Sequence, residues 1–134
     1  MQEIHVVTCF VENDGLVLIV KRSSRVGTYR QKWSGISGYL ESGKTALEQA
    51  WQELQEETGL NPANASLVKE GELLVVNDEE LDKSWFVHPF RFVADEIDQV
   101  KLDWENTEHV WINPEQIHTY QTVPGLAEAW LKVK

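Results

Sequence analysis

This sequence lacks the features typical of membrane, secreted or nucleic-acid-coating proteins. Its single cysteine, Cys9, cannot form an internal disulfide and lies in an apolar segment, as expected for a small core residue in a reducing compartment. There is no apolar run of the roughly 18 residues that a membrane-spanning helix needs. The first residues contain neither a basic region nor a small-residue cleavage site, so we expect no signal peptide and a cytoplasmic location.

Basic residues are also scarce, with 12 lysines and arginines against 22 acidic residues and a net charge of −10. This balance argues against general binding to nucleic-acid polymers or anionic membranes, both of which favour a basic surface. Six of the 12 basic residues nevertheless lie between positions 21 and 44, namely Lys21, Arg22, Arg25, Arg30, Lys32 and Lys44. Such a segment suits a polyphosphate substrate, with Arg22, Arg30 and Lys44 as the binding candidates, although a solvated basic loop fits each residue equally well.

An acidic segment follows, and its pattern predicts a helix over residues 46–58. Thr45 is a good N-cap, and Glu48 three residues later completes a capping box. Gly59 is suited to the left-handed position after the last turn. Apolar residues recur at helical spacing, so we expect one face of this helix in the core and its glutamine and glutamate side chains mostly away from it. The two sets are Ala46, Leu47, Ala50, Trp51 and Leu54, and Gln49, Gln52, Glu53, Glu56 and Glu57.

Three carboxylates of this helix, Glu53, Glu56 and Glu57, are spaced three and four residues apart and share a face. Like charges in this arrangement destabilise a helix by about 0.2–0.5 kcal/mol per pair, and a cation among them reverses that sign. The spacing therefore indicates a site for a hard divalent cation, which prefers oxygen ligands. A solvated acidic helix face is the simpler alternative.

The rest of the chain predicts a mixed sheet. Strands are expected at 3–11 and 16–21, forming a hairpin around Asp14-Gly15, and at 33–39, 66–76 with a bend at Gly71, 84–94 and 109–112. Pro89 predicts an edge position or a bulge for the strand at 84–94. A helical turn from Pro114 and a C-terminal helix complete the pattern. Strands around one helix, with a second helix at the end, predict a sheet covered on two faces, and residues 1–134 fit one domain.

The segment Gly38–Leu60, GYLESGKTALEQAWQELQEETGL, resembles the Nudix box, a long and specific pattern. The matching positions are Gly38, Glu53, Leu54, Glu56, Glu57, Gly59 and Leu60. Two positions depart from the pattern, because Lys44 stands where the family has its first glutamate and Gln52 stands where it has an arginine. In the family, that arginine orients a catalytic glutamate through a salt bridge.

The resemblance implies a Nudix-type α/β/α sandwich of the α/β (α+β) class. It implies a pyrophosphohydrolase that depends on Mg²⁺ or Mn²⁺ and cleaves a phosphoanhydride bond in a nucleotide or nucleoside diphosphate derivative. By the same resemblance, the cation contacts the Gly38 carbonyl and the carboxylates of Glu53, Glu56 and Glu57. Glu53 and Glu56 are the catalytic candidates, with Glu53 favoured to help activate water. A homodimer is compatible with the resemblance, and the sequence leaves the oligomeric state open.

The family often recruits a further carboxylate after the box, and we expect Glu105 to take that place. The other candidates are Asp95, Glu96, Asp98, Asp103 and Glu108, and a solvated acidic loop explains all six equally simply. A base pocket formed by Tyr29, Trp85, Phe86 and Phe90 is a further expectation, against the alternative that each is a core residue. The four histidines show no zinc-ligand spacing.

Lys44 and Gln52 keep a second function open. With those two positions altered, the chain also fits a catalytically attenuated module that binds a nucleotide or metabolite. A third alternative is a structural cation-binding domain. Lys44 has three candidate environments: an ion pair with Glu56 or Glu57, a contact with a phosphate oxygen, or solvent.

Overall fold

The computed structural model describes residues 1–95, 101 and 105–134. Its strands are β1 (Gln2–Asn13), β2 (Leu16–Arg22), β3 (Trp33–Ser34), β4 (Ile36–Tyr39), β5 (Ala65–Glu70), β6 (Leu74–Asp78), β7 (Lys83–Ala94) and β8 (Asn106–Ile112). The helices are α1 (Ala46–Thr58), a 3₁₀ helix (Pro114–Thr119) and α2 (Leu126–Val133). The predicted bounds of α1 are therefore confirmed. Within this described part of the chain, no helix has the length and apolar content that crossing a bilayer requires.

The described strands form one mixed sheet around β1. This strand runs parallel to β7 and antiparallel to β4. The predicted hairpin between β1 and β2 forms only next to the turn, at the pairs Glu12–Val17 and Asn13–Leu16, because the rest of β1 pairs with β4 and β7. The antiparallel register places Gly38 of β4 opposite Val7 of β1, which brings the start of the predicted box onto the sheet.

The two faces of the sheet carry separate apolar clusters. Successive side chains of a strand point to opposite faces, and β1 shows this directly. Cys9 packs with Leu54 of α1, whereas the neighbouring Phe10 packs with Trp130 of α2. One helix thus covers each face, which confirms the predicted α/β/α sandwich and the core position of Cys9. Burial of one side chain such as Leu54 contributes about 1.5–3 kcal/mol relative to exposure.

The sequence predicts an edge position or a bulge at Pro89, and the edge position is wrong, while β7 keeps an unbroken register with β1 through Pro89. It lies in β7, which pairs with β1 on one side and with β5 and β6 on the other. The Pro89 carbonyl accepts a hydrogen bond from the Gly71 N–H at 2.9 Å, so the missing proline N–H faces that same side. There the neighbouring chain is interrupted between Glu70 and Leu74, and the predicted single strand at 66–76 is in fact two strands.

Both ends of α1 are capped as the sequence predicts. The Glu48 N–H donates to the Thr45 hydroxyl oxygen at 3.1 Å, and the Thr45 N–H donates to the Glu48 carboxylate at 3.0 Å. At the other end, Gly59 takes a φ of 81°, a conformation that glycine adopts without steric cost. These local interactions fix where α1 begins and ends, and with it the position of its carboxylates.

The capping box yields the first prediction. Thr45→Ala removes the hydroxyl that satisfies an orphan N–H of α1, and we expect it to lower the free energy of unfolding by about 1 kcal/mol. Urea denaturation followed by circular dichroism measures this change. Thr45→Ser is the matched control, because it keeps the hydroxyl and is expected to stay close to the wild type. Equal losses in both variants would contradict the capping role.

Candidate active site

The close approach of β4 and α1 positions Glu53. A β-carbon built on Gly38 would lie 2.1 Å from Cδ and 2.2 Å from Oε1 of the Glu53 side chain. Real side-chain carbons do not approach that closely, so only glycine leaves room for the carboxyl group at this place on the sheet. The glycine and glutamate that the sequence predicts at the site are therefore brought together by direct packing.

The polar side chains of α1 are more buried than expected. Gln49, Glu53 and Glu57 are 0%, 9% and 3% exposed, so the prediction that they lie away from the core is wrong for these three. Gln49 Nε2 donates to Glu53 Oε1 at 2.9 Å, and Gln49 Oε1 accepts from the Glu41 backbone N–H at 3.1 Å. The buried amide thus satisfies part of the hydrogen-bonding need of Glu53, as burial of a polar group requires.

Glu57 is the most deeply buried carboxylate of the box. Asn106 Nδ2 donates to Glu57 Oε1 at 3.0 Å, whereas Glu57 Oε2 is buried and has no hydrogen-bond partner among the described residues. Burial raises the pKa of Glu57 well above its usual value, and the neighbouring Glu53 carboxyl raises it further. Burial likewise raises the pKa of Glu53, to which the charges of Glu56 and Glu105 add. A cation between these groups would favour their charged forms.

The two residues that depart from the box pattern meet at Glu41. Lys44 Nζ lies 2.9 Å from Glu41 Oε2, so the proposed ion pair of Lys44 with Glu56 or Glu57 is replaced by one with Glu41. Gln52 Nε2 donates to Glu56 Oε1 at 2.9 Å and to Glu41 Oε1 at 3.3 Å. Gln52 therefore still holds a carboxylate of the box, through hydrogen bonds from an uncharged amide.

A cavity of about 280 Å³ opens beside these carboxylates. Four glutamates contribute to its lining: Glu41, Glu53, Glu56 and Glu105. Arg22 lines it as well, with its Nε donating to the Thr28 carbonyl at 3.0 Å. Burial lowers the pKa of Arg22, which the charge of Glu105 partly offsets. The cavity thus joins a cationic group to the acidic ones, as a site for a phosphate and its cation requires.

Two aromatic residues form another part of this lining. Tyr29 and Trp85 both border the cavity. The Tyr29 hydroxyl donates to Asp78 Oδ2 at 2.5 Å and accepts from Trp85 Nε1 at 2.8 Å. Burial raises the pKa of Tyr29 to about 12, and the hydrogen bond to Asp78 acts in the same direction. Phe90 is fully buried in the cluster under α1, and Phe86 packs against the His5 ring. Neither borders the cavity, so the predicted base pocket is wrong for these two residues.

Several other predicted site residues lie elsewhere. Arg30 is exposed and donates to the Val26 carbonyl at 2.8 Å, and neither Arg30 nor Lys44 is among the described residues that border the cavity. Glu108 pairs with Lys21 at 3.4 Å, and Asp95 is exposed after β7. Glu96, Asp98 and Asp103 lie outside the described residues. Of the late carboxylates in the described chain, Glu105 is the one that the structure brings to the cavity.

Within residues 1–95, 101 and 105–134, no three side chains of the histidine, cysteine, aspartate and glutamate types are gathered as a ready metal site. Glu57 Oε2 is one of three buried side-chain atoms without a hydrogen-bond partner among the described residues, and it calls for a cation or for a proton shared with the neighbouring Glu53 carboxyl.

Sequence reasoning missed two polar contacts of the site. Gln49 stands four residues before Glu53, and the helical neighbour rule was sufficient to pair them. The contact of Asn106 with Glu57 cannot be predicted in this way. It depends on the pairing of β8 with β2, which joins segments far apart in the sequence.

The chain belongs to the NUDIX domain family, whose family model matches residues 2–131. This match covers nearly the whole chain and agrees with the box at Gly38–Leu60.

Solved structures share the fold at low sequence identity. The MutT protein from Methanosarcina mazei superposes with a TM-score of 0.81 at 22% identity, covering 97% of this chain and 91% of that one. The E. coli ORF135 protein gives a TM-score of 0.74 at 22% identity, covering 98% and 90%. A C. elegans Ap4A hydrolase in a binary complex gives 0.74 at 14% identity, covering 96% and 93%. At these identities the likeness supports the fold alone.

The buried Glu57 carboxyl leads to a prediction about pH. Its folded-state pKa is raised above the unfolded value of about 4.3. Its contribution to stability is therefore present below that pH and is lost as the pH rises toward the folded pKa. With cations removed by EDTA, we expect the free energy of unfolding of the wild type, relative to Glu57→Gln, to fall as the pH rises from about 4 toward 7.

Urea denaturation across this pH range measures the difference. Glu128→Gln is the matched control, since it makes the same change at an exposed position of α2. A constant difference between wild type and Glu57→Gln across the range would contradict the raised pKa.

Proposed function

We propose that this protein is a divalent-cation-dependent Nudix hydrolase that cleaves a phosphoanhydride bond in a nucleotide or a nucleoside diphosphate derivative. The observation that carries the proposal is the cavity that joins Glu53, Glu56 and Glu105 to Arg22. Membership of the NUDIX domain family supports the same reaction class. We further propose that residues 1–134 act as a single domain.

The donor set fits a hard cation. Glu53, Glu56 and Glu57 offer only oxygen ligands, which Mg²⁺ and Mn²⁺ prefer. Glu57 Oε2 is buried without a partner among the described residues, and Gly38 leaves the space in which the Glu53 carboxyl rests. We propose these three carboxylates, the Gly38 carbonyl and Glu105 as the group that holds the cation. A bound cation neutralises phosphate charge and lowers the pKa of its bound water.

The side chains then have distinct proposed roles. Glu53 is the general base that takes a proton from the attacking water, with Glu56 supporting it. Arg22 offers a planar, permanently charged group to the phosphate oxygens. Tyr29 and Trp85 provide the apolar wall on which the remainder of the substrate packs, since aromatic rings offer large contact areas. Arg30 and Lys44 remain proposed outer contacts for a substrate longer than the cavity.

The alternative, a binding module with little turnover, rests on the two departures from the box, Lys44 and Gln52. Glu56 is held by the single Nε2 donor of the uncharged Gln52 amide rather than by an arginine, whose planar guanidinium carries a full charge and can bind a carboxylate through two parallel hydrogen bonds. The hydrolase and the binding module would use the same cavity, so a measurement of substrate turnover distinguishes between them.

A substrate panel tests the proposal. We expect Mg²⁺- or Mn²⁺-dependent release of phosphate, pyrophosphate or nucleoside monophosphate from at least one nucleotide or diphosphate derivative. Glu53→Gln keeps the shape of the side chain but removes the base, and we expect a loss in kcat of about 100-fold or more. Glu128→Gln, the same change on exposed α2, should leave kcat unchanged. Saturable ligand binding without turnover of any panel member would favour the binding module.

Restoring the family residues tests whether the altered box attenuates the enzyme. In the double variant Lys44→Glu with Gln52→Arg, the arginine replaces both donors that now hold Glu41 and Glu56. Exposed ion pairs of this kind contribute about 0–1 kcal/mol, so we expect kcat to change by less than about fivefold. Steady-state kinetics on the best panel substrate measure this. A rise of about 100-fold would show instead that the native box is attenuated.

A further inference from the structure

Gln49 is a fully buried polar side chain with both ends of its amide engaged. It lies one helical turn before Glu53 on α1 and is 0% exposed. Its Nε2 donates to Glu53 Oε1 at 2.9 Å, and its Oε1 accepts from the Glu41 backbone N–H at 3.1 Å. The family pattern that the chain matches specifies no residue at this position.

The two partners fix the direction of the amide. A backbone N–H only donates, and an ionised carboxylate only accepts. A flipped amide would place a donor against the Glu41 N–H and an acceptor against the Glu53 carboxylate, and neither hydrogen bond would form. The contact is therefore directional, and it aims an N–H at one named oxygen of Glu53.

Gln49 and Gly38 together restrict where the Glu53 carboxyl can lie. The space above Gly38 admits the carboxyl from the side of the sheet, where a β-carbon would meet it at 2.1 Å. Gln49 fixes Oε1 from the side of the helix and ties it to the backbone of Glu41, in the loop between β4 and α1. Motion of that loop is thereby linked to the orientation of Glu53.

The residue at the arginine position of the box does not provide this contact. Gln52 directs its amide to Glu56 and Glu41. Among the described residues, the side-chain amide that donates to Glu53 is that of Gln49. The support that a box arginine gives to a catalytic glutamate is thus divided here between two glutamines, one for each carboxylate.

From this geometry we infer that Gln49 is a positioning residue that orients the Glu53 carboxylate for cation binding and proton abstraction. The inference rests on the proposed function, because it gives Glu53 the role proposed above. It adds to the site a residue at a position that the box pattern leaves unspecified.

Gln49→Met tests the inference. Methionine is close to glutamine in length and fills the buried space, but it removes both hydrogen bonds. Loss of a residue that hydrogen-bonds a metal-ligating carboxylate typically lowers metal affinity or activity by about 10- to 100-fold. We expect kcat to fall by about that factor with KM within about threefold, and the Kd for Mn²⁺ alone, measured by calorimetry, to rise by about 10- to 100-fold.

Gln55→Met is the matched control, since it makes the same change on the same helix at an exposed residue. We expect wild-type kcat, KM and Mn²⁺ affinity for it. Gln49→Leu is the second variant, for the case in which Gln49→Met does not fold. It removes the donor to Glu53 and the acceptor for the Glu41 N–H without adding a charge, and it should also lower kcat with little change in KM.

The outcomes separate the two proposals. Turnover that Glu53→Gln abolishes, together with wild-type kcat and Mn²⁺ affinity in Gln49→Met, would overturn the inference and leave the proposed function standing. Mn²⁺ binding without turnover in the wild type would remove the hydrolase proposal, and a weakened Kd in Gln49→Met would still support the positioning role. Absence of both Mn²⁺ binding and turnover in the wild type would overturn both.

Discussion

The contact between Gly38 of β4 and the Glu53 carboxyl of α1 is the constraint on which the rest of the site depends. A β-carbon at position 38 would lie 2.1 Å from the carboxyl carbon, so the Glu53 carboxyl keeps this place beside the sheet only against glycine. A larger residue would turn the carboxyl end of the side chain away from β4 and from its hydrogen bond with Gln49, while Ala50 and Leu54, fully buried in the cluster beneath α1, hold the helix itself in place. Core packing thus sets where α1 lies, and Gly38 leaves the space in which the proposed catalytic carboxylate rests.

The buried face of α1 carries polar residues that lower the stability of the fold and that the proposed chemistry uses. A helix of this amphipathic type normally buries apolar residues, yet Gln49, Glu53 and Glu57 all lie inside, and Glu57 Oε2 has no partner among the described residues. Buried carboxylates favour their protonated forms unless a positive charge compensates them. Local rules are typically broken where function requires it. The capping box at Thr45 and the left-handed Gly59 hold the helix in place despite this cost, because they act at its ends and do not depend on its buried face.

The predicted ends of α1 are confirmed because they depend on local chain chemistry. Thr45, Glu48 and Gly59 determined both ends of α1, since capping involves residues close in sequence. Pro89 was misassigned because its missing N–H faces a gap between two strands, and that gap exists only in the assembled sheet. Asn106 was missed for the same reason, as its contact with Glu57 depends on the position of β8. The ends of α1 are thus predictable from local sequence, whereas the burial of Gln49, Glu53 and Glu57 and the contact of Asn106 with Glu57 follow from the assembled fold.

The two departures from the box pattern are coupled rather than independent. The pattern pairs a glutamate with an arginine, which together carry no net charge, whereas Lys44 and Gln52 carry one positive charge. Glu41 forms an ion pair with Lys44 and accepts a hydrogen bond from Gln52 Nε2. The same Gln52 Nε2 also donates to Glu56. Meanwhile the backbone N–H of Glu41 binds Gln49, the donor to Glu53. One loop residue, Glu41, therefore connects the supports of both proposed catalytic glutamates, because it contacts Lys44, Gln52 and Gln49.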